Sequence, residues 1–132
     1  QHQKNGLKLA RWLEDRPEVD RVLHPALPSD PHHELWKRDF TGACGLFGVV
    51  LKPYPEVALA AMLDGLELYG MGASWGGFES LILLTNPAST RTVGKEQWEK
   101  DGPTLRIHAG LEDPEDLISD LEKGFQRLNA SS

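Results

Sequence analysis

Near the end of the chain a strand runs directly into a well-marked helix, and this pair constrains the fold more than any other feature. Apolar and polar residues alternate over 104–109, which predicts a strand with Arg106 and His108 on the face opposite the core. Asp113 is a good N-cap, and Pro114 suits the first helical position. The helix that follows carries one apolar stripe, formed by Leu117, Leu121, Phe125 and Leu128. A sheet covered by helices on one side is therefore expected.

Similar patterns earlier in the chain complete the predicted fold. Helices are predicted over 1–15 and 56–69, and strands over 20–23, 46–51 and 81–84, the last two of which are expected to be buried. Gly70 is well placed to end the second helix. Because long helices are too few to cover both faces of the sheet, we predict an α/β fold in two layers. It has a mixed, mainly antiparallel sheet of about four strands and helices on one face. The bare face is expected to be covered by another subunit or by a further part of the protein.

Composition excludes several classes of function. The chain is 39% apolar and 26% charged, which is typical of a globular domain. A net charge of -6 gives no basic surface for nucleic acid. No apolar run approaches the roughly 20 residues needed to cross a membrane. With no signal peptide visible, a cytoplasmic location is expected. Cys44 is the only cysteine and is predicted to be a buried, unreactive thiol.

No complete active site is visible in the sequence. Residues 32–34, His-His-Glu, lie on a short helix or a surface loop where adjacent side chains diverge, so no metal site is predicted. No Gly-rich phosphate loop is present, and Ser74 and Ser80 lack the glycines of a nucleophile elbow. The acidic residues over 112–116 favour the helix dipole rather than catalysis.

A glycine-rich approach to the strand at 81–84 is the first candidate for a ligand site. Gly76 and Gly77 allow the backbone to come close to a ligand and would present Ser74 and Trp75 beside it. The alternative interpretation is a turn that contains one buried tryptophan.

Arg106 is the second candidate. It lies in mid-strand between two apolar neighbours, so its guanidinium is rigidly placed and offers a planar fork to a carboxylate. That carboxylate belongs either to a ligand or to one of the 20 acidic residues of the chain. His108 shares this face and is expected to be a surface histidine.

Two long blocks of sequence carry a resemblance to a known family. GASWGGFESL at 72–81 and GPTLRIHAGLEDPEDLI at 102–118 resemble the pyridoxal-phosphate-dependent Cys/Met metabolism (trans-sulfuration) family, in particular its bacterial β-lyase branch. HPALP at 24–28 and WKRDFTG at 36–42 are similar to the same branch. The resemblance therefore covers essentially the whole chain.

This resemblance implies the C-terminal small domain of an aspartate-aminotransferase-type fold. Residues 1–15 would be the end of the interdomain helix, and residues 16–132 the small domain. The large domain holds pyridoxal 5′-phosphate on a lysine Schiff base in this family. It is expected upstream of residue 1, so no catalytic, cofactor-binding or metal-binding residue is expected in this chain.

The resemblance also implies a site and a reaction. Arg106 matches the arginine that grips the α-carboxylate of the amino-acid substrate, and Ser74 and Trp75 match the segment that lines the pocket beside it. The reaction implied for the full-length enzyme, a homotetramer, is α,β-elimination. It converts cystathionine, or a related cysteine S-conjugate, to homocysteine, pyruvate and ammonia. The chain alone is expected to be inactive. The alternatives are another branch, such as a γ-lyase, or a non-catalytic binding or assembly module on the same scaffold.

Two positions depart from the family pattern. Residue 73 is alanine where members of the family often carry an aromatic, which affects the shape of the pocket. The segment Ser89-Thr90-Arg91-Thr92 lacks the Thr-His of the γ-lyase and γ-synthase branches, and this favours β-elimination.

Overall fold

The computed structural model describes residues 1–132 as six helices and five strands. The helices are α1 (His2–Glu14), α2 (His33–Asp39), α3 (Glu56–Asp64), α4 (Pro87–Thr90), α5 (Lys95–Trp98) and α6 (Pro114–Ala130). The strands are β1 (Val19–Leu23), β2 (Leu46–Leu51), β3 (Gly70–Met71), β4 (Leu81–Thr85) and β5 (Thr104–His108). The α/β fold class is confirmed, with five strands in one sheet where about four were predicted.

β5 is the central strand of the sheet, whose order is β1-β2-β5-β4-β3. All neighbouring strands are antiparallel except β3 and β4, which are parallel. The sheet is thus mixed and mainly antiparallel, as predicted. In this register Arg106 lies between Gly48 of β2 and Leu83 of β4.

The core lies between the sheet and the three longest helices. α6 contacts both α1 and α3, and α1 also contacts β1 and β2. The predicted stripe of α6 is confirmed by the complete burial of Leu117, Leu121, Phe125 and Leu128. Burying an apolar side chain of this size stabilises the fold by about 1.5–3 kcal/mol. None of the six helices combines the length and the apolar character needed to cross a membrane.

The prediction for the second long helix was wrong at its end. α3 stops at Asp64, with Gly65 rather than Gly70 as the C-cap. A side chain from α6 satisfies the final turn: Arg127 donates from Nε to the carbonyl of Ala61 at 3.0 Å and from Nη2 to that of Met62 at 3.1 Å. The guanidinium lies against Gly65, where a Cβ would come within 2.4 Å of Arg127 Nε.

A buried carboxylate directs the chain out of α3 and into β3. Asp120 of α6 is only 4% exposed. It accepts hydrogen bonds from the amide of Glu67 at 3.0–3.1 Å and from that of Leu68 at 2.8 Å. The chain therefore leaves the helical path and reaches Tyr69, which is buried outside the helix.

Two predictions of burial were also wrong. In β4 only Ile82 is buried, and Leu84 is 41% exposed because it lines a groove of about 760 Å³ beside Leu59. Cys44 is exposed rather than buried. The inward position before β2 is taken by Gly45, where a Cβ would lie 2.5 Å from the carbonyl oxygen of Ala109, so Cys44 points outward.

Candidate functional site

Arg106 lies on the face of the sheet opposite the core, in the middle of β5. Leu105 and Ile107, its neighbours along the strand, are buried in the core, whereas Arg106 is half-buried. Gly48 beside it has no side chain, and Leu83 supplies an apolar wall on the other side. The strand thus holds the guanidinium stem in place and leaves its planar end accessible to solvent.

The guanidinium of Arg106 forms no ion pair with the acidic residues of the chain. It binds a backbone carbonyl instead, since Nη2 donates to the oxygen of Ala73. The sequence left open whether Arg106 pairs with a ligand or with an acidic residue of the chain, and the second partner is absent. The remaining donors of the fork are free to bind a carboxylate from elsewhere.

The 72–80 loop, which connects β3 to β4, brings the other candidate residues to Arg106. Ser74 and Trp75 directly follow the carbonyl that Arg106 binds, and both are exposed, Trp75 by 61%. A turn with a buried tryptophan is therefore ruled out. Gly76 has a φ of +82°, in the left-handed region that glycine adopts without strain.

His108 holds the middle of this loop, and the prediction of a surface histidine was wrong. It is only 2% exposed because the loop covers it. Its Nε2 lies 3.1 Å from the amide nitrogen of Gly76 and 3.2 Å from the carbonyl oxygen of Gly77. The ring also packs against His2 of α1, with 5.2 Å between ring centroids. Two residues of β5 on one face, Arg106 and His108, thus contact successive parts of the loop.

The end of the loop is fixed by a side-chain network that the sequence did not suggest. Ser80 is fully buried and donates from its backbone nitrogen and from Oγ to the carboxylate of Glu112, at 2.8 and 2.7 Å. The same Oγ accepts the amide of Gly110 at 2.8 Å. Asp113 caps α6 as predicted, by accepting the amide of Glu115 at 2.9 Å. Glu112, however, binds the loop and not the end of the helix.

α1 joins this network through a buried polar side chain. Asn5 is 1% exposed, and its Nδ2 donates to the carbonyls of Gly110 at 2.9 Å and Glu112 at 3.1 Å. These residues are separated by more than 100 positions, so no local pattern reveals the contact. The only signal in the sequence is a polar residue on a helix face that otherwise carries apolar side chains.

Arg106, Ser74 and Trp75 lie outside the three principal grooves of the chain. No group of three or more His, Cys, Asp or Glu side chains lies close enough to hold a metal ion. The candidate site is therefore an open surface that can form one wall of a pocket.

The residues present do not fit a site for pyridoxal 5′-phosphate. All seven lysines of the chain are solvent-exposed, at positions 4, 8, 37, 52, 95, 100 and 123. None lies in the sheet or in the 72–80 loop beside Arg106. The described residues thus provide groups for a carboxylate and none for a cofactor Schiff base.

Known proteins of greater length are similar to almost the whole of this chain. Cystathionine β-lyase MetC of Escherichia coli (strain K12) is 50% identical over 131 residues, which are 97% of this chain and 33% of that protein. An L-alanine/L-glutamate racemase of Wolbachia pipientis wMel is 45% identical over 130 residues, 96% of this chain and 32% of that protein. The chain thus spans about a third of the length of the curated relatives it matches.

A solved structure shares the fold. A cystathionine γ-synthase of Xanthomonas oryzae pv. oryzae, solved in complex with cystathionine, superposes with a TM-score of 0.82 at 34% identity. The match covers 99% of this chain and 34% of that one. Residues 1–126 also match the family described as "Cys/Met metabolism PLP-dependent enzyme". The chain belongs to this family of pyridoxal-phosphate-dependent enzymes.

Proposed function

We propose that this chain is the carboxylate-binding small domain of a carbon–sulfur lyase that converts cystathionine to homocysteine, pyruvate and ammonia. In this proposal, residues 1–15 are the end of an interdomain helix, and residues 16–132 are the small domain. A separate large domain supplies pyridoxal 5′-phosphate and its lysine. The assembled enzyme is a cytoplasmic homotetramer.

The guanidinium of Arg106 is the observation that carries this proposal. It is rigidly placed on the central strand, has no internal acidic partner and lies beside the exposed Ser74 and Trp75. A fork of this kind binds a carboxylate through two parallel hydrogen bonds and thereby fixes its orientation. Holding the α-carboxylate of an amino acid fixes the direction of the bonds at its α-carbon, which orients the substrate for reaction.

Substitution of Arg106 in the full-length enzyme tests the proposal. Removing one partner of a buried charge pair costs about 2–5 kcal/mol, or roughly 30- to 5,000-fold in kcat/KM for cystathionine. Arg106→Ala is expected to show this loss when pyruvate release is measured. Arg106→Lys keeps the charge but not the fork and is expected to lose less. Arg11→Ala, an exposed arginine on α1, is the matched control.

The outcomes separate the parts of the proposal. An active wild type with an equally active Arg106→Ala variant would leave a lyase whose carboxylate site lies elsewhere. A wild type that releases no pyruvate would favour either another branch of the family or the non-catalytic module.

Product analysis tests the choice of β- over γ-elimination. The 50% identity to a β-lyase and the absence of a Thr-His pair at residues 89–92 support β-elimination. β-Elimination releases homocysteine and pyruvate from cystathionine, whereas γ-elimination releases cysteine and 2-oxobutyrate. Detection of 2-oxobutyrate as the main product would assign the enzyme to the γ-lyase branch.

A further inference from the structure

The 72–80 loop is held at its beginning and middle by β5 and at its end by the segment that follows β5. Its beginning is held where Arg106 binds the carbonyl of Ala73. Its end is held where Ser80 meets Glu112 and Gly110, beyond the last residue of β5. Between these ends His108 contacts the backbone of Gly76 and Gly77. We expect a movement at the end of the loop to be passed along this short segment to the carbonyl that contacts the guanidinium.

From this arrangement we infer that Glu112 is a positioning residue for Arg106. It fixes the loop whose carbonyl orients the carboxylate-binding fork. This inference rests on the proposed function, because it assigns a role in the same carboxylate site. Glu112 itself is half-buried and contacts no group that would touch the substrate.

The hydrogen bonds of Glu112 point to a role in holding the loop. Its two carboxylate oxygens are used by one residue, since Oε1 accepts from the backbone nitrogen of Ser80 and Oε2 from its hydroxyl. Glu112 takes part in none of the nine ion pairs of the chain. A charged acceptor strengthens hydrogen bonds relative to a neutral one, so the negative charge is used to fix Ser80.

Close backbone packing prevents the loop from adjusting locally at this point. A Cβ on Gly110 would lie 2.3 Å from the carbonyl oxygen of Phe78 and 2.6 Å from the carbonyl carbon of Glu79. The amide of Leu111 donates to the same oxygen of Phe78 at 2.7 Å. The loop and the segment after β5 therefore pack as one unit, and we expect loss of the carboxylate to shift them together. Such a shift reaches Arg106, which lies four residues before Gly110.

Two substitutions of Glu112 in the full-length enzyme compare full with partial loss of the carboxylate. Glu112→Ala removes both acceptors, and kcat/KM for cystathionine is expected to fall by up to about 100-fold, the loss that a misplacement of about 1 Å can cause. Glu112→Gln keeps an acceptor for the amide of Ser80 and is expected to lose less. The matched control is Asp116→Asn, an exposed acid in the first turn of α6, with unchanged kinetics.

A double-mutant cycle separates positioning from a general structural role. If Glu112 acts through Arg106, the fold-loss caused by Glu112→Gln will be much smaller in an Arg106→Lys background than in the wild type. If the loss in the double variant equals the product of the losses in the two single variants, the inference is overturned. A Glu112→Ala enzyme with wild-type KM and kcat would overturn it as well. Should Glu112→Ala fail to fold, Ser80→Ala carries the same test.

Hydrogen exchange of the full-length protein gives a readout that does not depend on activity. Glu112→Ala is expected to speed exchange at the amides of Gly76, Ser80 and Gly110 and to leave the middle of α6 unchanged. Unchanged exchange at these three amides would overturn the inference. If the wild type releases no pyruvate but exchange changes as expected, the proposed reaction fails while the positioning of the loop stands.

Discussion

Asp120→Ala should destabilise the chain more than any other substitution of an acidic residue on α6. The carboxylate of Asp120 is almost completely buried and accepts hydrogen bonds from two consecutive amides, those of Glu67 and Leu68, at 2.8–3.1 Å. Alanine at this position leaves both amides without an acceptor at the point where the chain leaves α3.

The expected loss in the free energy of unfolding follows from the number of amides left without an acceptor. A hydrogen bond to a charged group contributes about 1.5–3 kcal/mol, and two amides lose such a partner, which gives an upper range of about 3–6 kcal/mol. Removing a buried charge also relieves its desolvation, which lowers the net loss. We therefore expect a loss of about 2–4 kcal/mol in the free energy of unfolding. Asp120→Asn keeps one acceptor oxygen and should fall between wild type and alanine.

Urea denaturation of the chain, followed by tryptophan fluorescence, measures this loss. Ser119→Ala is the matched control, because Ser119 is the exposed neighbour of Asp120 on the same helix and should stay within about 0.5 kcal/mol of wild type. If Asp120→Ala unfolds within 0.5 kcal/mol of the control, the carboxylate does not hold the Glu67 and Leu68 amides as argued.

Three further predictions concern other parts of the chain. Gly110→Ala should cost about 1–3 kcal/mol in the free energy of unfolding, because its Cβ would meet the Phe78 carbonyl at 2.3 Å; wild-type stability would refute this contact. Burial lowers the pKa of His24 and outweighs the opposing effect of Asp30. As the pH falls, His24 is therefore protonated in the unfolded state before it is protonated in the folded state. The free energy of unfolding should therefore fall as the pH drops below about 6.5. Between pH 7 and pH 5 a His24→Gln variant should lose less of this free energy than the wild type, and an equal loss in both would contradict the prediction. Cys44 should react with a thiol-specific reagent at the rate of an exposed thiol in the native chain, and protection until unfolding would show that it is buried.

The elements predicted well from the sequence are those whose determinants are local. The N-cap at Asp113 and the stripe along α6 depend on residues within a few turns of one another, and both are confirmed. The alternation over β5 likewise separated Arg106 from the core. The spacing of apolar residues along a helix or strand determines which of its faces is buried, so this can be predicted from a single sequence.

The features that were missed depend on contacts between distant residues. Gly65 and Gly70 are equally suited to end a helix, and the choice between them is made by Arg127 and Asp120, more than 50 residues away. β3 has only two residues and no strand-like pattern, and it is defined by its pairing with β4.

The candidate site shows the same division. Arg106 was found because a charged residue in mid-strand is unusual, and Ser74 and Trp75 because glycines follow them. The partners Ser80 and Glu112 are 32 residues apart and look like ordinary surface residues in the sequence. His108 is buried only by a loop whose path the sequence does not define.

The parallel pairing of β3 with β4 has a consequence for how this domain can diversify. Parallel neighbours are usually joined by a dozen or more residues that include a helix, because the chain must return to the same end of the sheet. Here the paired strands are so short that the return covers about 7 Å, whereas nine residues can span about 30 Å. The surplus length passes over the central strand, and a Cβ on Gly77 in the middle of this loop would meet nothing within 4 Å. A side chain at Gly77 can therefore vary in size without disturbing the sheet, so the middle of this loop can differ between related proteins while its two ends stay fixed.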